Sequence, residues 1–370
     1  MDYMAQALSL ARLALGQVSP NPAVGALIVN NDEIVGQGYT QPPGSDHAEI
    51  VALKQASERA RGGVMYVTLE PCCHYGRTPP CTQAIIAAGI REVYLATLDA
   101  NHLVSGRGKE ELEEAGIKVH LGEHEAEARQ INEGYLKFIT EGTPFVTAKF
   151  AISLDGKIAT RSGDSKWITS EAARKQAHQL RYINDAIMVG VNTVLIDDPR
   201  LTVRCNSKSG TVNKQPLRVI VDSNGHTPLT ARLFAEPGRT LLALGRTLRP
   251  GEKAAFTRLG AEILELPSID GRVDLRGLLK ALGERGITSV LVEGGGILLG
   301  SLFDIGLADK VIAFIAPIII GGKEARTAVA GRGVDNVVDS LRLDRVTVEG
   351  LGEDLIVCGY VAAKNRDSNS

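Results

Sequence analysis

Apolar residues fall at helical spacing through residues 2–15, at Met4, Ala7, Leu8, Ala11, Ala14 and Leu15, with Gly16 as a natural stop. Two apolar runs follow, 24–29 and 34–39, separated by Asn30-Asn31-Asp32, and together they predict a β-hairpin. Beyond the hairpin the pattern alternates. It predicts a helix at 48–60, a strand at 64–69, a helix at 79–88 ending at Gly89, and a strand at 92–97. A loop to Gly108, a helix at 109–115 and a short strand at 117–120 complete the series. This order predicts a mixed sheet covered by helices on both faces. A helix over 125–141 then leads to Gly142-Thr143-Pro144, where glycine and proline punctuate a boundary.

A second series starts past that boundary. It opens with a strand at 145–152, a turn at Asp155-Gly156 and a helix at 170–180 capped by Thr169 or Ser170, with Glu171 beside the cap. Strands at 186–189, 217–221, 241–244 and 289–292 alternate with helical stretches at 250–258 and 273–283. Such alternation predicts an α/β domain with a largely parallel sheet. The polar stretch from Cys205 to Gln215 reads as a mobile surface loop. Two domains are expected, 1–143 and 144–363, with 364–370 as a disordered tail.

Composition narrows the function classes. At 370 residues the length suits two domains, and 44% apolar residues suffice for ordinary cores. The 41 basic and 43 acidic residues leave a formal charge of −2, without the basic excess of a nucleic-acid binder. Five cysteines argue against a disulfide framework, and Cys205 and Cys358 read as free thiols in a reducing compartment. The start Met1-Asp2-Tyr3-Met4 lacks the basic region of a signal peptide. No apolar run approaches the roughly 18 residues of a membrane span. A cytoplasmic enzyme without membrane or nucleic-acid partners is expected.

The chemistry gathers between His47 and Cys81. His47, Cys72 and Cys81 offer three soft donors, one short of a closed tetrahedral zinc site, so a fourth position stays open for water. Zinc bound this way lowers the pKa of that water towards neutrality. Glu49, two residues past His47, is too close to serve as an independent ligand and is placed to shuttle protons. The arrangement follows the zinc-deaminase pattern His-x-Glu with Pro-Cys-x-x-Cys, except that eight residues separate the thiols here. Cys73 reads as a bystander. In the second half, Val292-Glu293-Gly294-Gly295-Gly296 is a strand running into glycines and then a helix. That turn suits a phosphate, and equally a bare strand-to-helix connection.

The run Val67-Thr68-Leu69-Glu70-Pro71-Cys72, with His74 and Gly76-Arg77-Thr78-Pro79-Pro80-Cys81, resembles the bifunctional riboflavin biosynthesis deaminase–reductase family. Ser19-Pro20-Asn21-Pro22-Ala23-Val24-Gly25 and Ser153-Leu154-Asp155-Gly156-Lys157 fit the same family, so the likeness covers nearly the whole chain. It implies a cytidine-deaminase-like α/β/α sandwich followed by a dihydrofolate-reductase-like α/β domain. It also implies zinc and NADPH as cofactors, and a pyrimidine ribosyl phosphate as substrate. Carried over residue by residue, Asn21, His74, Arg77, Asp99 and Asn101 would hold the deaminase substrate. Ala151, Trp167, Thr193, Asp197, Ser223 and Gly294 to Gly296 would contact the cofactor. Lys149, Ser165, Arg181, Leu201, Arg204 and Glu293 would contact the reductase substrate, with Asn192 and Thr169 as further members. A homo-oligomer, dimer or tetramer, is implied.

Two departures stand out. The loop Asp99-Ala100-Asn101-His102-Leu103-Val104-Ser105-Gly106-Arg107-Gly108 lacks both prolines of the family's D-P-N-P pattern and should flex more. Asp222 ends a strand just before Ser223, which by dinucleotide-fold logic favours NAD, against the family's NADP. One rival reading is a nucleic-acid-editing deaminase with an accessory domain, which the near-neutral charge disfavours. Another is a non-catalytic protein stabilised by a closed metal site, with no use for Glu49.

Overall fold

The computed structural model describes residues 1–75, 79–204, 206–207, 210–211 and 214–362. Arg77, Cys205, most of the expected surface loop's centre and the expected tail lie outside the described residues. The chain divides into two compact units, Met1–Thr143 and Pro144–Ser370.

In the first unit, Asp2 caps α1 (Tyr3–Ala14) by accepting the Ala5 N–H at 2.9 Å. A hairpin, β1 (Gly25–Asn30) and β2 (Glu33–Tyr39), leads to α2 (Ala48–Ala56), which ends in one 3₁₀ turn (Ser57–Ala60). Then come β3 (Val64–Val67), α3 (Cys81–Ala87), β4 (Glu92–Leu95), α4 (Arg107–Glu114) and β5 (Lys118–Leu121). The sheet order is β2-β1-β3-β4-β5, with β1 antiparallel to both neighbours and β3, β4 and β5 parallel. Alternate residues of β1 feed two cores. Ala26 and Ile28 pack with Ala48, Ala52, Ile85 and Leu112 on one face. Leu27 and Val29 pack with Met4, Leu8 and Ala128 on the other. This is the expected sandwich.

Glycines on β2 set where the site-bearing helix can sit. A Cβ at Gly36 would lie 2.2 Å from the Ala52 carbonyl oxygen, and one at Gly38 would lie 2.5 Å from that of Ala48. With no side chain between them, α2 lies flat on the strand and its first turn is fixed in height above the sheet.

The helix expected over 125–141 is in fact two, α5 (Glu125–Ile131) and α6 (Glu133–Glu141). Asn132 breaks them at φ −105°, ψ 19°. Its amide is spent on a distant partner. Oδ1 accepts the Ala23 N–H at 2.8 Å and Nδ2 donates to the Ala23 carbonyl at 3.0 Å, all of it buried.

The second unit holds β6 (Phe145–Ser153), α7 (Glu171–Ile183), β7 (Ala186–Gly190), α8 (Val191–Asp197) and a two-residue ribbon, β8 (Asn206–Ser207) with β9 (Gly210–Thr211). It continues with β10 (Leu217–Asp222), β11 (Thr240–Leu244), α9 (Pro250–Arg258) and β12 (Ala261–Glu265). A second ribbon, β13 (Ser268–Ile269) with β14 (Arg272–Val273), precedes α10 (Leu275–Gly283), β15 (Ser289–Val292), α11 (Gly296–Asp304) and β16 (Lys310–Ala316). The hairpin β17 (Leu343–Leu351) and β18 (Asp354–Val361) ends it. The nine-stranded order is β12-β11-β10-β7-β15-β6-β16-β18-β17. It is parallel from β12 to β16 and antiparallel beyond. The pattern of alternating elements missed α8, the parallel strands β12 and β16, and the closing hairpin of β17 and β18, which has no crossover helix to mark its strands.

Asn132→Ala would leave the Ala23 N–H buried without a partner, at a cost of about 1–3 kcal/mol. Hydrogen exchange at the Ala23 amide should quicken accordingly. Unchanged protection there would contradict this role.

Candidate active sites

His47 is the N-cap residue of α2, extended at φ −74°, ψ 165°, so its ring stands off the helix start. Cys81 opens α3, and Cys72 arrives on the loop after β3. His47 Nδ1 lies 3.6 Å from Cys72 Sγ and 3.3 Å from Cys81 Sγ. All three donor atoms fall within 4.8 Å of one another, and no fourth histidine, cysteine or carboxylate joins them among the described residues. A tetrahedral zinc, with Zn–N of about 2.0–2.1 Å and Zn–S of about 2.3 Å, sets nitrogen and sulfur roughly 3.5 Å apart. The residues fit the ion and leave one position for water.

The electrostatics suit that use. The Cys81 thiol donates to Cys72, and this bond, helped by His47 and by the Cys81 N–H at 3.4 Å, holds Cys72 at about 4. Cys81 is pushed up in turn, since it keeps the proton that Cys72 shares. His47 is raised by its bond to Cys72. Burial pushes Glu49 up to about 7, and the Cys72 thiolate adds to the rise. A dication among the three donors would draw both thiols and Glu49 down.

Glu70 stands two residues before Cys72 in the run that carries the family resemblance, but the sequence assigns it no role. Its buried carboxylate accepts three backbone N–H groups, from Asp99 at 3.1 Å, Gly106 at 2.9 Å and Lys109 at 3.0 Å. These stitch the proline-less loop onto the strand that delivers the metal ligand. Gly108 has no room for a side chain, because a Cβ would lie 2.2 Å from the Pro71 carbonyl oxygen. Asp99 faces inward, accepting from Tyr135 Oη at 2.9 and 3.1 Å and from the Asn101 N–H at 2.9 Å. Asn101 Oδ1 accepts the Leu103 N–H at 3.1 Å. Asn21 is half-buried, and its N–H donates to the Val18 carbonyl at 2.8 Å. His74 Nδ1 is buried with no hydrogen-bond partner in the structure, the single such side-chain atom among the described residues.

In the second unit, Arg181 forks onto Glu293, with Nε at 2.9 and 3.0 Å from the two carboxylate oxygens and Nη2 at 2.5 Å. Arg181 Nη1 also donates to the Thr202 carbonyl at 3.1 Å. Burial alone would raise Glu293, but Arg181 holds it below the ordinary carboxylate range. Lys149 is enclosed beside them, its ammonium 5.2 Å from the Phe314 ring centroid, and burial lowers its pKa. His178 Nδ1 accepts the Arg204 N–H at 3.2 Å, and burial followed by Arg181 lowers His178. The Arg204 side chain is exposed. Leu201 differs from the other expected substrate residues. Its side chain is buried in the core with Ile187 and Leu242, and its backbone stands at φ +51°.

Of the expected cofactor residues, Ser223 and Gly294 to Gly296 follow the carboxyl ends of β10 and β15, and Thr193 and Asp197 lie in α8, which follows β7. Gly294 and Gly295, at φ +101° and +83°, turn the chain from β15 into α11. It is the positive φ at both positions that favours glycine, since the nearest atom to a Gly295 Cβ would be Thr193 Oγ1, at 3.4 Å. Ser165 Oγ donates to Asp197 Oδ1 at 3.4 Å, and burial raises Asp197. Trp167 and Asn192 are exposed, Thr169 is half-buried, and Ala151 pairs with Phe314 across β6 and β16. Ser223 Oγ accepts the Val273 N–H at 3.2 Å. Asp222 is taken up by its own turn, accepting the N–H groups of Asn224, Gly225 and Thr227 and the Thr227 hydroxyl. The cue towards NAD, which conflicted with the family's NADP, loses its footing here, for the acceptor positions of Asp222 are occupied.

Two family models match the chain: the zinc-binding region of cytidine and deoxycytidylate deaminases over residues 1–97, and the RibD C-terminal domain over 144–357. The riboflavin biosynthesis protein RibD of Aquifex aeolicus is 44% identical over 357 residues, 96% of this chain and 97% of that one. That of Escherichia coli is 40% identical over 361 residues, 95% of this chain and 97% of the other. Among solved structures, Acinetobacter baumannii RibD superposes with a TM-score of 0.85 at 38% identity, covering 97% of this chain and 98% of that one. A Thermotoga maritima deaminase/reductase does so with 0.85 at 35% identity and the same coverage. A zinc-dependent deaminase joined to an NADPH-dependent reductase is thus the class that fold and sites define. The chain belongs to the RibD family of riboflavin biosynthesis proteins. It is an enzyme of small-molecule substrates, and no described helix is long and apolar enough to cross a membrane.

Glu70→Gln would set an amide NH₂ against one of the three N–H groups. A charged hydrogen bond contributes about 1.5–3 kcal/mol, so deamination kcat/KM should fall at least about tenfold. Zinc content and the reductase rate should hold. Parental deamination kinetics would remove Glu70 from any positioning role.

Proposed function

We propose that residues 1–143 deaminate 2,5-diamino-6-ribosylaminopyrimidinone 5′-phosphate and that residues 144–363 reduce the ribosyl group of the product to ribityl. The observation that carries this reading is the His47–Cys72–Cys81 triangle with the enclosed Glu49 beside it. When bound, zinc supplies a water acidified towards neutrality at its fourth position. Glu49 is placed to take a proton from the attacking water and to pass it to the departing ring amine; water would enter and ammonia would leave. His74 Nδ1, buried and unpartnered, offers the ring or its substituents a hydrogen bond. Asn21, Arg77 and Asn101 complete the substrate shell, with Asp99 acting through the Asn101 backbone it holds.

In the second reaction NADPH, when bound, would supply hydride for the sugar carbon that bears the exocyclic amine; that carbon keeps its bond to nitrogen, its bond to the sugar's ring oxygen opens, and the oxygen takes up a proton. Arg181, pinned by Glu293, fixes one wall of the sugar pocket, while exposed Arg204 meets the phosphate as a fork meets its oxygens. Lys149, with its pKa lowered by burial, is the group placed to give up a proton. Ser223 and Arg246 stand over the turn that consumes Asp222, Arg246 Nε donating to the Asn224 carbonyl at 2.7 Å. Arg246 Nη1 and Nη2 fork onto Glu252 at 3.1 and 3.0 Å, so its part in favouring NADPH would be to exchange that carboxylate for the 2′-phosphate that NADH lacks.

The protein acts in the cytoplasm as a homo-oligomer, a dimer or tetramer, without nucleic-acid or membrane partners. Support for assembly comes from the edge strand β17, exposed through 344–350, and from Val337 and Val338, each 81% exposed. Light scattering that shows only monomer at micromolar concentration would overturn it.

Separate assays of the half-reactions test the whole reading. General acid–base groups contribute 10²–10⁴-fold, so Glu49→Gln should lose deamination by at least about 10²-fold. That variant should retain about one zinc per chain and oxidise NADPH normally when given deaminated substrate. Glu293→Gln, which frees Arg181, should instead let the deaminated intermediate accumulate. If Glu49→Gln disables both steps in folded, metallated protein, the division of labour is wrong. A kcat/KM with NADH equal to that with NADPH would remove Ser223 and Arg246 from cofactor choice.

A further inference from the structure

Trp167, the chain's one tryptophan, is 75% exposed. Its backbone sits at φ +65°, a left-handed conformation that bulky residues seldom adopt. Neighbouring residues of its segment are anchored. Ser165 Oγ reaches Asp197, and the Ser170 N–H donates to Asp354 Oδ2 at 2.7 Å while its hydroxyl caps α7. What packs on the ring is Arg174, whose guanidinium carbon lies 4.3 Å from the ring centroid.

Arg174 occupies an unfavourable place for a cation. It lies in the first turn of α7, where the positive end of the helix dipole opposes it. Its Nη1 donates to the Thr169 carbonyl at 2.7 Å, which fixes the plane of the guanidinium against the indole face. The carbonyl it holds lies two residues past Trp167, so a single side chain clamps both the ring and the backbone that carries it.

We propose that Arg174 is a positioning residue of the reductase: it backs one face of Trp167 so that the other face stands ready for the cofactor. This rests on the reading that Trp167 contacts NADPH. Arg174 acts through the stack and the Thr169 bond, both of which need a planar fork that lysine lacks.

The single tryptophan makes the test direct, because its emission in the full-length chain reports this position alone. NADPH titration should quench that emission by energy transfer to the nicotinamide. Arg174→Ala should lower the tryptophan anisotropy and raise KM for NADPH about two- to fivefold, the range of an exposed cation–π contact, with the effect on KM rather than kcat. Arg174→Lys, which keeps the charge and loses the plane, should match Arg174→Ala. Circular dichroism matching the parent shows that each variant is folded. Parental anisotropy and KM in Arg174→Ala would overturn the proposal. So would Arg174→Lys restoring KM while anisotropy stays low, for then charge alone matters. If NADPH leaves the parental emission unchanged and Trp167→Phe keeps the parental KM, the reading of Trp167 itself fails and the proposal falls with it.

Discussion

Removing a charge from water costs several kcal/mol unless partners replace the lost solvation, and both sites are arranged around how that cost is met. In the first unit two buried glutamates meet it differently. Glu70 is surrounded by three backbone N–H groups and so remains a fixed acceptor. Glu49 is buried beside the ligand cysteines, and its affinity for a proton rises to about 7. The second unit repeats the division. Glu293 and Arg181 pin one another, while Lys149 next to them holds its proton less tightly. Each unit thus holds one buried charge fixed by its partners and one whose proton affinity is shifted by burial.

The parts of this arrangement that lie close in sequence are legible there. His47 and Glu49 share a helix start, Cys72 and Cys81 flank a short loop, and their spacing alone announces the zinc chemistry. Glu70 sits inside the same stretch, but its meaning depends on a loop that returns 29 to 39 residues later. No local pattern reports that return. The proline-less loop illustrates the same limit, since its loss of preset φ is visible in sequence and its hydrogen bonds to Glu70 are not.

Two departures from expectation have a common physical root. The continuous helix expected over 125–141 fails because Asn132 pairs with Ala23 across 109 residues. The NAD cue at Asp222 fails because a carboxylate at a strand end can close on its own turn as readily as on a ribose. In both cases a polar side chain has two possible partners: Asn132 takes the distant one, and Asp222 takes its own turn. The second sheet is legible at β6, β7, β10, β11 and β15, though not at β12 and β16, which follow helices α9 and α11. Nor is it legible at the hairpin edge, where β17 is exposed along nearly its whole length.

The clamp between Asn132 and Ala23 also bears on how the chain comes to be folded during synthesis. The deaminase zinc-binding region is recognisable within residues 1–97, yet Ala23 waits for Asn132 and Asp99 waits for Tyr135. Loop closure over such spans must precede the contacts that reward it, which slows folding. The segment that carries the metal donors is therefore a unit of recognition and not a unit of folding, and it settles only once the last helices of the first unit have left the ribosome. β6 waits longer still, since its neighbours β15 and β16 are made about 140 to 160 residues after it. A nascent chain of this protein must travel far before either catalytic pocket can close.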